Sequence, residues 1–165
     1  MNLNKFPYYP TDCAWREKEF NSFMSYNPPL WETDIPQSMH GLALAWSYMP
    51  HAFFVKCSGL KSPLETFNTD KELIRKKMKQ MDMRETPSGL RKTLKMMTGS
   101  QSVSNFRPTA AYSIYRRYMP ENGLTWDMSA GYGGRLLGAI RNFTNYIATE
   151  PCQLTYDGLN EIIND

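Results

Sequence analysis

The chain predicts an α/β protein in two parts: a mainly helical or irregular segment over residues 1–100, then a βαβ unit over 101–165 that looks incomplete. Three observations carry this. Two short β-prone runs, Leu124–Asp127 and Asn145–Thr149, flank a helical stretch, Arg135–Arg141, with Leu136, Leu137 and Ile140 apolar. A glycine-rich turn, Met128–Gly134, joins the first run to that stretch. Pro7, Pro10, Pro28, Pro29 and Pro36 crowd residues 1–37, where each removes a donor and restricts its predecessor, so long helices are not expected there.

In order along the chain, Asp12 is placed to cap a short helix over Ala14–Met24, with Trp15, Phe20 and Phe23 on its apolar side. Residues 39–48 read as a helix broken by Pro50, and Ala52–Val55 as either a buried strand or a helix end. A helix over 69–81 follows, capped by Thr69 or Asp70, with Leu73, Ile74, Met78 and Met81 as its stripe. Thr86–Gly89 breaks the chain, and Leu90, Leu94 and Met97 mark a second short helix. After a polar loop, Thr109 caps a helix over Ala110–Tyr118, which Pro120 and Gly123 terminate. Beyond the second β-prone run, Thr155–Ile163 reads as a helix with Tyr156, Leu159, Ile162 and Ile163 on one side. The alternation predicts two parallel strands.

Composition excludes several classes. With 41% hydrophobic and 21% charged residues the chain fits a soluble globular protein, and no apolar run approaches the roughly 18 residues of a membrane span. Met1–Lys18 lacks an apolar signal core, so a cytoplasmic location is expected. Cys13, Cys57 and Cys152 are odd in number and widely spaced; they predict reduced, buried thiols and neither a disulfide framework nor a metal site. His40 and His51 are isolated and read as structural.

The turn is the part with chemistry in it. Ligands of open α/β sheets sit beyond the carboxyl ends of the strands. Gly131 and Gly133 let a backbone approach closely, and the helix that follows aims free N–H groups at the same place. Glu150, 19 residues after Gly131 and at the end of the second β-prone run, can accept hydrogen bonds from both ribose hydroxyls. A plain structural turn is the competing reading. Leu136 stands where a dinucleotide fingerprint needs its third glycine, and no G-x-x-x-x-G-K-[ST] loop occurs.

The pattern Asp127-x-x-x-Gly131-x-Gly133, with Glu150 behind it, resembles the first motifs of class I S-adenosylmethionine-dependent methyltransferases. The runs Asp127–Ala139 and Tyr146–Pro151 look especially like DNA methylases of phage and bacterial type, over about residues 103–163. The resemblance implies a Rossmann-like domain, S-adenosyl-L-methionine as cofactor and a DNA base amino group as methyl acceptor. It implies that Ala130, Gly131 and Gly133 form the turn beneath the methionine part. Asp127 would brace that turn or reach the ammonium through water, Glu150 would hold the ribose, and Phe106 and Arg107 would line the methionine end. Arg135, a cation in the first helical turn, is expected to pair with a carboxylate of the cofactor or of a neighbour, or to point to solvent.

Such methylases present the acceptor on an (Asp/Asn/Ser)-Pro-Pro-aromatic loop. The nearest run here is Asn27-Pro28-Pro29-Leu30, which lacks the aromatic and reads as an ordinary loop or a weak catalytic candidate. Only 15 residues follow Glu150, enough for the first two strands, so an exposed strand edge and an unburied apolar sheet face are expected. Three explanations stay open: a split methylase completed by a second polypeptide, a degenerate non-catalytic module binding cofactor or DNA, or a permuted enzyme using Asn27. Finally, Lys71–Lys95 holds nine basic residues against three acids; it is either a DNA-phosphate surface or a solvated helix face.

Overall fold

The computed structural model describes residues 5–165; Met1–Asn4, the start of the segment read as irregular, lie outside the described residues. Its elements are α1 (Cys13–Ser25), α2 (Leu42–Ser47), a 3-10 turn (Pro50–Phe53), α3 (Pro63–Thr69), α4 (Lys71–Gln80), α5 (Pro87–Lys95), α6 (Pro108–Tyr118), β1 (Leu124–Asp127), α7 (Gly134–Arg141), β2 (Asn145–Ala148) and α8 (Gln153–Asn164). The protein is α/β, mostly helical with one small sheet. β1 and β2 pair in parallel, with Leu124 opposite Asn145 and Asp127 opposite Ala148.

Local chemistry sets the helix starts. The Asp12 carboxylate accepts the Trp15 amide at 3.0 Å, and the Thr86 hydroxyl accepts the Gly89 amide at 3.1 Å, so the Thr86–Gly89 break is itself the start of α5. Two helix starts differ from expectation. Thr69 closes α3, a helix that the periodicity does not reveal, although Ser62-Pro63-Leu64-Glu65 carries its capping box and the Ser62 hydroxyl accepts the Glu65 amide. Thr109 does not cap α6: Arg107 holds the cap position, Pro108 is the first helical residue, and the Thr109 hydroxyl bonds the Ser38 backbone. Ala52 and Phe53 belong to the 3-10 turn, which resolves the open reading there towards a helix end.

The chain forms two compact units. The first comprises residues 1–8 and 50–104. Its core gathers Phe6, Phe53 and Phe67, with ring centroids 5.0 and 5.4 Å from Phe6, beside Ile74, Met78, Leu90 and Leu94. Leu73, expected on the buried stripe of α4, is exposed. The second unit comprises 9–49 and 105–165, so α1 and α2 cluster with the C-terminal third rather than with residues 50–100.

In the second unit, Phe23, Leu44, Met49 and Leu137 are fully buried, each contributing about 1.5–3 kcal/mol. Arg16 is buried with them; it donates to Ser47, Glu161 and Asp165 and lies 3.7 Å over the Tyr48 ring, joining α1 to α2 and α8. α6 and α7 run side by side in the same direction, and a Cβ on Gly138 would come within 2.5 Å of the Ala111 methyl. Along α8, Leu159 and Ile162 are buried while Tyr156 and Ile163 face outward.

The sheet face bearing Leu124, Trp126 and Ile147 is open, with Trp126 70% exposed. The apolar face expected from so few strands is therefore present. All three cysteines are free, as expected, but exposed rather than buried. Among the described residues, no helix is long and apolar enough to cross a membrane.

Candidate functional site

The glycine turn begins where β1 ends. The Asp127 carbonyl accepts the Thr149 amide, the Thr149 carbonyl accepts the Ala130 amide, and the Thr149 hydroxyl donates to the Met128 carbonyl at 2.6 Å. These bonds extend the parallel ladder past both strands and bring the turn against the chain leading to Glu150. There the Glu150 carboxylate accepts the Gly131 amide on one oxygen and the Cys152 amide on the other, both at 3.0 Å. A carboxylate offers about four acceptor positions, so roughly half of its capacity stays available, on a side chain that is only half-buried.

The glycines differ in what they need. A Cβ on Gly134 would come within 1.9 Å of the Phe106 carbonyl, so backbone packing excludes a side chain there; at Gly133 it is the φ of +80° that favours glycine, a Cβ meeting only the tip of Ile162 at 2.7 Å. Gly131 has φ +59°, and a Cβ there would meet nothing nearer than 3.9 Å. It is thus an open, left-handed position beside the half-used Glu150 carboxylate. Beneath it Ala130 is buried. Tyr132 leans on Trp46 of α2, ring centroids 5.4 Å apart, and its carbonyl accepts the Asn105 side-chain amide at 2.8 Å.

Asp127 lies behind the turn, its side chain only 11% exposed. One oxygen accepts Arg135 Nε at 2.6 Å and the Tyr146 hydroxyl at 2.5 Å; the other accepts the Ser129 amide and Arg135 Nη2, each at 3.2 Å. Arg135 also donates to the Ser129 carbonyl. Four donors fill the four acceptor positions. With every acceptor position taken from within the protein, Asp127 has the geometry of a brace for the turn. Burial would raise its carboxyl, but Arg135, Tyr146 and the Ser129 amide outweigh burial and hold it below the usual carboxylate range. Burial first, and then the bond to Asp127, push the Tyr146 hydroxyl up. The partner of Arg135 is a neighbouring carboxylate, which removes the conflict with the helix dipole.

The structure brings Asp127, Ala130, Gly131, Gly133 and Glu150 together at the carboxyl ends of the two strands. Phe106 lies beside them, its backbone against Gly134 and its ring 5.7 Å from the Arg135 guanidinium; Arg107 is exposed at the α6 cap. Asn27, Pro28 and Pro29 are elsewhere. The Asn27 side-chain oxygen accepts from Arg116 near the C-terminus of α6, and the Tyr26 carbonyl accepts from Arg141 at the C-terminus of α7. The turn meets the N-termini of the same two helices, on the order of 15 Å away along α6. Tyr146 and Trp46 hold the turn's neighbours and are missed by motif reading: one depends on cross-strand register, the other on a contact 86 residues distant in sequence.

A cavity of about 540 Å³ in the second unit is lined by Phe20, Leu44, Leu137, Ile140, Ile162 and Arg16, among others. Its cation is already held by Glu161, Asp165 and Ser47, whereas the ledge at Gly131 keeps unused acceptors. Among the described residues, no group of three or more His, Cys, Asp or Glu gathers where a metal could bind.

These features define a class: an α/β chain with a glycine turn and a carboxylate at the ends of paired parallel strands. No protein-family model matches the chain. No curated protein and no solved structure matches it either.

Proposed function

We propose that this chain carries the S-adenosyl-L-methionine-binding start of a Rossmann-like methyltransferase whose acceptor is a DNA base amino group. One observation carries the reading: Glu150, with half its acceptor capacity unused, is tied to the amide of Gly131, the one glycine of the turn that faces open space. The residues fit the cofactor. The Glu150 carboxylate would take the ribose hydroxyls, and Gly131 would let the ligand lie against the backbone. The cofactor supplies an electrophilic methyl group. This chain's residues bind and orient it: Asp127, Arg135 and Tyr146 hold the turn rigid, so little ordering is left for the moment of binding.

The same reading assigns orientation of the base to residues outside this site, because Asn27-Pro28-Pro29 lies at the other end of α6 and α7. A second polypeptide that covers the Trp126 face and adds the acceptor loop would complete the enzyme. The alternative is a non-catalytic cofactor- or DNA-binding module of a split or degenerate methylase. The placement of Asn27 favours both over a permuted enzyme.

Calorimetric titration with S-adenosylmethionine tests this. The wild-type chain binds saturably; Glu150→Gln, which keeps one acceptor, binds about tenfold more weakly, and Glu150→Ala weaker still, as loss of hydrogen bonds to a charged group implies. No heat from a chain whose circular dichroism shows it folded, or equal affinity for all three proteins, sinks the reading.

A further inference from the structure

The strongest charge asymmetry lies outside the proposed cofactor site. Residues 71–95 hold nine basic residues and three acids, while the remainder of the chain holds ten basic residues and thirteen acids. α4 and α5 carry this surplus and pack against each other. Each turns its apolar side inward: Ile74 and Met78 on α4, Leu90 and Leu94 on α5. The opposite sides carry Arg75, Lys76 and Lys79 on α4 and Lys92 on α5, with Arg84 between the helices, and all five are exposed.

Two observations separate this face from an ordinary solvated one. First, within the described residues these five side chains make no ion pair or hydrogen bond. In the other unit, Arg16, Arg116, Arg117, Arg135 and Arg141 are each held by a protein acceptor, and the exposed Arg107 and Lys18 are scattered rather than gathered on one face. Second, α4 keeps an unfavourable pair. Arg75 and Lys79 stand four residues apart with like charge, a spacing that repels on a helix, and Glu85 is the acid near enough to both to offset part of it. Glu72, Asp82 and Glu85 are the acids of this stretch. A polyanion lying across both helices would remove that repulsion.

We infer that the exposed face of α4 and α5, through Arg75, Lys76, Lys79, Arg84 and Lys92, docks the phosphate backbone of double-stranded DNA. The choice of DNA among polyanions rests on the methylase reading above; the existence of an anion-docking face does not. A lipid surface is disfavoured because Ile74 and Met78 of α4 are turned into the core of its unit, leaving Leu73 as the helix's one exposed apolar side chain, too little to insert. Contacts of this kind position a duplex without reading its sequence.

Fluorescence anisotropy of the full chain with a labelled 20-base-pair duplex, between 50 and 300 mM salt, tests the inference. Five phosphate contacts predict that log K falls against log salt with a slope of about −4 to −5. Lys76→Glu/Lys79→Glu should flatten that slope by about 2 and weaken binding at least tenfold at 100 mM salt. Arg84→Glu/Lys92→Glu should do the same, and Lys18→Glu, an exposed lysine of the other unit, should do neither. Absence of wild-type binding at 50 mM salt, or wild-type affinity in both double variants, overturns the inference. So does equally tight, equally variant-sensitive binding to phosphatidylserine vesicles. Titrating Lys76→Glu/Lys79→Glu with S-adenosylmethionine separates the two readings. Cofactor binding unchanged alongside lost duplex binding supports the docking face. Wild-type duplex binding with no cofactor binding by any form leaves the face standing and removes the methylase reading.

Discussion

The guanidinium of Arg135 grips the carboxylate of Asp127 through two nitrogens, at 2.6 and 3.2 Å, across the glycine turn. The pair fastens the start of α7 to the end of β1, and the Tyr146 hydroxyl closes the arrangement from β2. Because the Asp127 side chain is nearly buried, removing it leaves a cation and a hydroxyl without their acceptor. Asp127→Ala should cost about 2–3 kcal/mol in urea unfolding. In a double-mutant cycle with Arg135→Ala the two losses should fall short of additivity by about 1 kcal/mol or more; strict additivity would show that the pair contributes nothing.

The same cluster predicts a stability profile with two limbs. The Asp127 carboxyl is held below its usual range, so its contribution is present above about pH 3.9 and is lost as pH falls towards the depressed folded value. Tyr146 is shifted upward, so its contribution is present below about pH 10 and fades as pH rises further. Tyr48, pushed up to about 12 by burial and by its bond to Asp165, adds to the alkaline limb. Stability measured by urea midpoint from pH 3 to 11 should show both limbs; Tyr146→Phe should shrink the alkaline one and, by removing a donor to Asp127, part of the acid one.

The glycines should separate by cost. Gly138→Ala places a methyl 2.5 Å from Ala111 and should destabilise by about 1–3 kcal/mol; Gly134→Ala, against the Phe106 carbonyl, should cost more. Gly131→Ala has room and meets only backbone strain, about 1–2 kcal/mol. Thermal midpoints in that order, with Gly131→Ala impairing S-adenosylmethionine binding out of proportion to its stability, are the expected result. A Gly131→Ala chain that binds like wild type would remove Gly131 from the site.

Arg16 should matter more than either acid it meets. Its side chain is buried, whereas Glu161 and Asp165 are largely exposed. Arg16→Ala should cost about 2–3 kcal/mol and Glu161→Ala less than about 1, compared by urea midpoint.

Trp126 on the open sheet face should be dispensable for the fold. Trp126→Thr should change stability by less than about 0.5 kcal/mol and reduce light scattering at high concentration. A loss of several kcal/mol would mean that the face is covered.

The βαβ unit was readable because its punctuation is local. Pro120 and Gly123 end α6, Gly131–Gly134 mark the turn, and the short β-prone runs Leu124–Asp127 and Asn145–Thr149 sit on either side. Capping chemistry is equally legible at Asp12; at Ser62–Glu65 the same signal stands alone, because α3 has no apolar period long enough to stand out. The rest depended on distance in sequence. Asp127 and Tyr146 share a sheet face only because the register sets Thr125 opposite Tyr146. The grouping of α1 and α2 with α7 and α8 rests on Trp46 meeting Tyr132 and on Arg16 meeting Glu161, which no local pattern reports. Exposure of the thiols likewise follows from which helix faces are covered, not from cysteine spacing.

The division of the second unit between residues 9–49 and 105–165 has a consequence for how the protein is made. On the ribosome, Phe23, Leu44 and Met49 emerge more than a hundred residues before Ile162, and the fifty-five residues of the first unit's main segment are translated in between. At about 5–20 residues per second, those side chains wait roughly 5–20 s for the helices that bury them. Over that interval α1 and α2 are nascent chain with apolar surface and no core. The first unit, whose last residues precede α6, has the chance to fold while its companion is still being written.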